Sequence, residues 1–146
     1  MIPIRRSENP RKQGDAGLGV AIAWYATNGY TVCVPLTDSQ RFDLVIGKET
    51  LERVQVKTTT SIVHGRYSVS LRTKGGNRSG TGKTAYFDPA EVDVLFVVTG
   101  DGSCYAIPAT SVRGKAVIEL GRSYQQYRVH TPDTGPCQIA ASLADS

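Results

Sequence analysis

The stretch "RFDLVIGKETLERVQVKTTT", Arg41 to Thr60, decides the fold. Two β-rich runs, "RFDLVIG" (41–47) and "LERVQVKTTT" (51–60), are joined by the short link "KET", as in a β-hairpin. Side chains alternate along a strand, so Gln55 and Lys57 share one face. Asp43 lies on the partner strand, in a register that brings it beside them. A lysine between valine and threonine in a half-buried strand is costly unless a partner meets its charge. Two partners suit it: the carboxylate of Asp43 in a plain cross-strand ion pair, or the phosphate of a substrate. In the second case the cluster is a metal-dependent nuclease centre. Asp43, the Gln55 side-chain carbonyl and the Val56 backbone carbonyl offer oxygens to a hard cation such as Mg²⁺ or Mn²⁺. Lys57 then orients the attacking water and offsets charge in the transition state.

Outward from this hairpin, "GDAGLGVAIAWYATNGY" carries Leu18, Ala21, Ile22 and Tyr25 at three- and four-residue spacing. The spacing predicts a helix from about Asp15 to Thr27, stopped by Asn28–Gly29. Asp15 stands where an N-cap or first-turn acid belongs. Residues 1–12, with Arg5, Arg6, Arg11 and Lys12, read as a mobile basic arm. "YTVCVP" is a strand ended by Pro35. "RYSVSLRT" is a fourth strand, and the nearly all-apolar "VLFVVTG" a buried central one. "CYAIPA" and "KAVIEL" are further strands, "DPAEVD" a turn or short helix, and "YRVH" an edge strand. These divide the chain into an arm (1–12), one domain (13–130) and a tail (131–146).

The 146 residues are 40% hydrophobic and include seven tyrosines, as expected of a single α/β or α+β domain with a real core. No run of 18 apolar residues exists to form a membrane helix, and the N-terminus lacks the apolar segment of a signal peptide. Three scattered cysteines, Cys33, Cys104 and Cys137, suggest free thiols and a cytoplasmic, reducing setting; with two histidines, they argue against a zinc site. The net charge of +4 and pI near 9.1 lean towards an anionic partner. Arg66, Arg72, Lys74, Arg78 and Lys83 fall in one acid-free segment, which either solvates a loop or meets phosphates.

That segment ends in "GKT", Gly82 to Thr84, the close of a nucleotide-binding P-loop. A P-loop also needs a glycine five positions before Gly82, where this chain has Asn77, and a helix afterwards. "AYFDP" has no helical period and runs into Pro89. A nucleotide is therefore not expected as a ligand, and Arg72, Lys74, Arg78 and Lys83 are read as clamps on a DNA backbone. Ser39, Gln40 and Arg41, in the turn before Asp43, either contact that backbone or simply lead into the strand.

Asp43 followed by Gln55-Val56-Lys57, with "GD" opening the preceding helix, resembles the PD-(D/E)XK nucleases, with Gln55 in place of the usual second acid. The order and spacing from about Gly14 to Val112 resemble the branch containing group I intron homing endonucleases and archaeal-type Holliday-junction resolvases. The resemblance implies a restriction-endonuclease-like α/β fold, a mixed β-sheet flanked by helices. It implies a Mg²⁺-dependent endonuclease that hydrolyses DNA phosphodiesters and assembles as a dimer or tetramer. Members often carry a glutamate on the first helix as a further metal ligand; that position here is Leu18. Asp15 either replaces it as a fourth catalytic member or caps the helix. If Asp15 is only a cap, Asp43 is the sole carboxylate, and a DNA-binding protein without catalysis is the alternative on the same fold.

Overall fold

The computed structural model describes residues 2–74 and 84–131. Helix α1 (Pro10–Thr27) comes first. Three strands follow: β1 (Thr31–Cys33), β2 (Leu44–Gly47) and β3 (Leu51–Thr59). Next come β4 (Ile62–Val63), β5 (Arg66–Ser70), β6 (Thr73–Lys74) and β7 (Thr84–Ala85). The chain continues through β8 (Val94–Thr99), β9 (Cys104–Pro108), β10 (Val117–Glu119) and β11 (Arg128–Val129). Two 3₁₀ turns, Ala109–Val112 and Arg122–Tyr127, fill the last connections.

The main sheet is mixed, in the order β1-β2-β3-β8-β9-β11, with β3 and β8 parallel and the other neighbours antiparallel. Strand β8 lies in the middle, as its unbroken apolar run requires, because both of its faces are covered. On one face, α1 lays Ala21 and Tyr25 over Leu44, Ile46, Val54, Phe96 and Val98. The opposite face carries Leu95, Val97, Tyr105 and Ile107, packed with Val69, Leu71 and Ile118. Those last residues belong to or adjoin a small second sheet, β10-β5-β4. The mixed sheet flanked by helical structure is as expected: helix α1 covers one face, and the small sheet with its 3₁₀ turns covers the other.

The helix begins earlier than its apolar spacing predicts. Asn9 is the N-cap, its side chain accepting from Arg11 N–H at 3.0 Å, and Pro10 follows at the first helical position. Residues 10–12, read as part of a loose arm, are the helix's first turn. Ile4 is also held, buried against the helix-side core, with its N–H donating to the Gly100 carbonyl at 3.1 Å. The helix stops where expected: Gly29 takes φ +82°, which glycine adopts without strain. At Gly17, α1 comes so close to β3 that a Cβ would overlap the Thr58 hydroxyl. This close approach sets the height of the helix over the strand that carries the candidate site.

Candidate active site

Strand β2 ends before β3 does. Its last pair is Leu44 with Val54, and Asp43 is the next residue outward. Beyond that point β3 has no strand partner on this edge among the described residues. Residues 54 and 56 turn their backbone N–H and C=O groups towards β2, and 55 and 57 towards β8. The Val54 carbonyl accepts from Asp43 N–H at 2.8 Å. Val56 has no strand partner on that side, and its N–H donates to Asp43 Oδ2 at 2.7 Å. The carboxylate thus caps the open edge, while the Val56 carbonyl faces the same gap.

Val54, Val56 and Thr58 point towards α1, so Gln55 and Lys57 point to the other face. The predicted trio of Asp43, Gln55 and Lys57 is brought together on one strand edge. Gln55 is 8% exposed, yet among the described residues its amide makes no side-chain hydrogen bond. Among the described residues the buried side-chain atom without a partner is Thr58 Oγ1, so the Gln55 amide keeps an outlet to the surface, where a ligand at the Asp43 carboxylate would meet it. Surrounding protein raises the pKa of Asp43 above its usual 3.8, against the opposing pull of Val56 N–H and the Lys57 charge. Burial likewise lowers the Lys57 ammonium from its usual 10.5, only partly offset by Asp43.

Asp15 does not join them. It sits two residues from Gly17, about 200° round the helix at 3.6 residues per turn, and is exposed. The N-cap role assigned to it is held by Asn9 instead. The helix residue that reaches this end of β3 is Gln13, one turn before Gly17, which shares a cleft with Lys57 and Arg72. Sequence reasoning missed Gln13 because it falls in the segment read as arm and helix start. Among the described residues no three His, Cys, Asp or Glu side chains converge as a metal cluster. Any cation at this edge would rely on Asp43, the Gln55 amide oxygen and the Val56 carbonyl. All are oxygen donors, which suits a hard divalent ion with few protein ligands.

A family model described as PD-(D/E)XK endonuclease matches residues 8–132. The chain belongs to the PD-(D/E)XK endonuclease family. Its fold is also that of a solved bacterial homing endonuclease, I-Ssp6803I, at a TM-score of 0.65 and 22% identity. The likeness covers 93% of this chain and 98% of that one. A comparison with curated proteins gives no match.

The remaining candidates surround the PD-(D/E)XK edge unevenly. Ser39 and Gln40 are exposed in the loop before Asp43, with the Gln40 amide donating to the Thr37 hydroxyl at 2.9 Å. Arg41 is paired with Glu91 at 3.5 Å, so part of its charge is already met. Arg72 is exposed. Arg78 and Lys83 lie outside the described residues, and of Lys74 only the backbone is described. Thr84 enters strand β7, paired with β6. A P-loop would have a helix there. No described helix is long and apolar enough to cross a membrane.

The two shifts carry a stability consequence. A carboxyl whose pKa is raised on folding favours the folded chain while protonated, and loses that advantage as pH rises through its folded value. An ammonium whose pKa is lowered on folding opposes folding until it deprotonates, below 10.5. At pH 7 both ionised groups therefore cost stability. Because the Asp43 side chain is exposed, solvent screens much of its share, and the double variant Asp43→Asn/Lys57→Met is expected to melt level with the wild type or up to about 3 °C above it at pH 7. Any part due to Asp43 should fall away as pH drops through the raised folded pKa and be gone by about pH 4. Thermal melts from pH 3 to 8 check this; a variant melting below wild type at pH 7 contradicts it.

Proposed function

We propose that this chain is a Mg²⁺- or Mn²⁺-dependent endonuclease that hydrolyses DNA phosphodiester bonds at the open edge of β3. The observation that carries the reading is the Asp43 carboxylate, held by Val56 N–H at 2.7 Å within reach of the Lys57 charge, with Gln55 two residues from Lys57 on the same face of β3. Asp43, Gln55 and the Val56 carbonyl would hold the cation. When bound, the ion supplies positive charge to the scissile phosphate and acidifies the attacking water. Lys57 orients that water through its ammonium donors and offsets the charge that builds on the phosphoryl oxygens. Its lowered pKa brings the ammonium nearer to the range where it exchanges protons at working pH. Arg72, Lys74, Arg78 and Lys83 would hold the flanking DNA backbone, joined by Ser39, Gln40 and Arg41 from the turn. Cutting both strands of a duplex needs two such centres, so the reading includes a homo-oligomer.

A second reading has one observation in its favour. Asp15 faces away, leaving Asp43 as the only carboxylate at this edge among the described residues, and on this reading the edge binds DNA without cutting it. A plasmid-nicking assay separates the two. Purified protein with Mg²⁺ or Mn²⁺ is expected to convert supercoiled plasmid to open-circle or linear forms, and chelator to stop it. Binding without any metal-dependent nicking, across plasmid and branched DNA, would leave the second reading standing.

A further inference from the structure

A cleft of about 450 Å³ starts at Lys57 and runs between the free end of β3 and the outer face of β5. Its polar lining is mostly hydroxyl: Thr60, Ser61, Ser68 and Ser70, with Arg72 at the rim. The two walls are tied together. The Thr59 hydroxyl donates to the Ser68 carbonyl at 2.6 Å and accepts from Ser61 N–H at 3.2 Å, while Ser68 N–H donates to the Ser61 carbonyl at 2.9 Å. These bonds use backbone groups and Thr59. Among the described residues, the side chains of Thr60, Ser61, Ser68 and Ser70 make no hydrogen bond, and Arg72 makes no ion pair.

No carboxylate lines the cleft among the described residues. On the small sheet Glu119 pairs opposite Ser68. It is drawn off by His64, whose Nδ1 lies 3.2 Å from Glu119 Oε1. What remains is a row of uncommitted donors with one arginine and one lysine, on walls held at fixed spacing. Hydroxyls and guanidinium together suit a phosphodiester oxygen, since most protein–DNA hydrogen bonds go to the backbone from such groups.

We infer that this cleft is a DNA phosphate subsite, holding a phosphate next to the scissile one on the strand being cut. Arg72 supplies its charge, and the hydroxyls of Ser61, Ser68 and Ser70 supply its geometry. The inference rests on the nuclease reading above and adds where the cut strand leaves the centre.

The two kinds of donor predict different salt behaviour. Each phosphate neutralised by a cation contributes about −0.9 to the slope of log affinity against log salt. Binding is measured by fluorescence anisotropy on a labelled 30-base-pair duplex in Ca²⁺, from 50 to 300 mM salt. Arg72→Ala should weaken binding about ten-fold at the lowest salt and flatten the slope by about 1. Arg72→Lys should keep the slope. The triple variant Ser61→Ala/Ser68→Ala/Ser70→Ala, with Ser61 and Ser70 exposed and Ser68 half-buried, should weaken binding about five- to ten-fold with the slope unchanged. It should also slow nicking at saturating protein, because a displaced flanking phosphate misplaces the scissile one. Wild-type slope and affinity within two-fold in both Arg72→Ala and the triple variant would overturn the subsite while leaving the nuclease reading intact. A wild type that neither binds nor nicks DNA would overturn both.

Discussion

Lys57→Ala is expected to slow metal-dependent DNA cleavage by about 10²–10⁴-fold while DNA binding changes only a few-fold. The reason is position rather than charge count. Arg72 stands at the rim of the cleft, whereas Lys57 is the cation that, among the described residues, shares the β3 edge with Asp43 and Gln55. Its ammonium is half-buried, with its pKa lowered by that burial. A group so placed acts on charge that develops during reaction, and its loss is felt in the chemical step. Lys57→Arg should not rescue fully, because a planar guanidinium neither fits an ammonium's place nor loses a proton near neutral pH. Single-turnover nicking with protein in excess isolates this step. Equal rates for wild type and Lys57→Ala would remove Lys57 from the mechanism.

The second large effect is structural. Gly17→Ala is expected to cost about 2–4 kcal/mol, because the new methyl group would overlap the Thr58 hydroxyl and sit 3.0 Å from Thr58 Cβ. This outweighs the roughly 1 kcal/mol by which alanine normally favours a helix over glycine. Gly14 and Gly19 of the same helix are the controls. A Cβ at either meets nothing within 4 Å, so Gly14→Ala and Gly19→Ala should stabilise. Thr58 Oγ1 is buried without a hydrogen-bond partner among the described residues, so Thr58→Ala alone should cost little. Combined with Gly17→Ala, it should recover part of the loss. Urea unfolding of the wild type and the five variants measures this directly. A Gly17→Ala variant as stable as Gly14→Ala would mean that the helix does not touch β3 there.

The β2–β3 hairpin was legible because a period of two leaves little choice. Once Val54 and Val56 face a core, Gln55 and Lys57 must face the other way, and the short link brings Asp43 to the Val54–Val56 edge beside them. The central place of β8 followed from its apolar run, and the edge place of β11 from its polar one. The helix start was hidden because its first two turns, "PRKQGDAG", contain no large apolar residue; they reach the sheet through Gln13 and Gly17. Asn9-Pro10 was the available signal, a cap followed by a proline at the first helical position. Reading the start at Asp15 gave that residue a role it does not have.

The small sheet was illegible for a different reason. "RYSVSLRT" alternates whichever sheet it joins, and the choice of β10 as partner is made by tertiary packing of Val69 against Ile118. The hydroxyl-rich cleft depends on that choice, since "TTTS" and "YSVS" become one site only when β3 and β5 approach. Pairing of distant strands set both, so neither motif drew notice alone.

The central claim is that the working cation sits at the open edge of β3 with one carboxylate. It is tested most directly by titrating Mn²⁺ into ¹⁵N-labelled protein and following paramagnetic broadening of the backbone amides. The signals of Asp43, Gln55, Val56 and Lys57 are expected to broaden first, at millimolar Mn²⁺, and Asp43→Asn to abolish this. Broadening that begins elsewhere, at Asp15 for example, or that survives Asp43→Asn at the β3 edge, would contradict it.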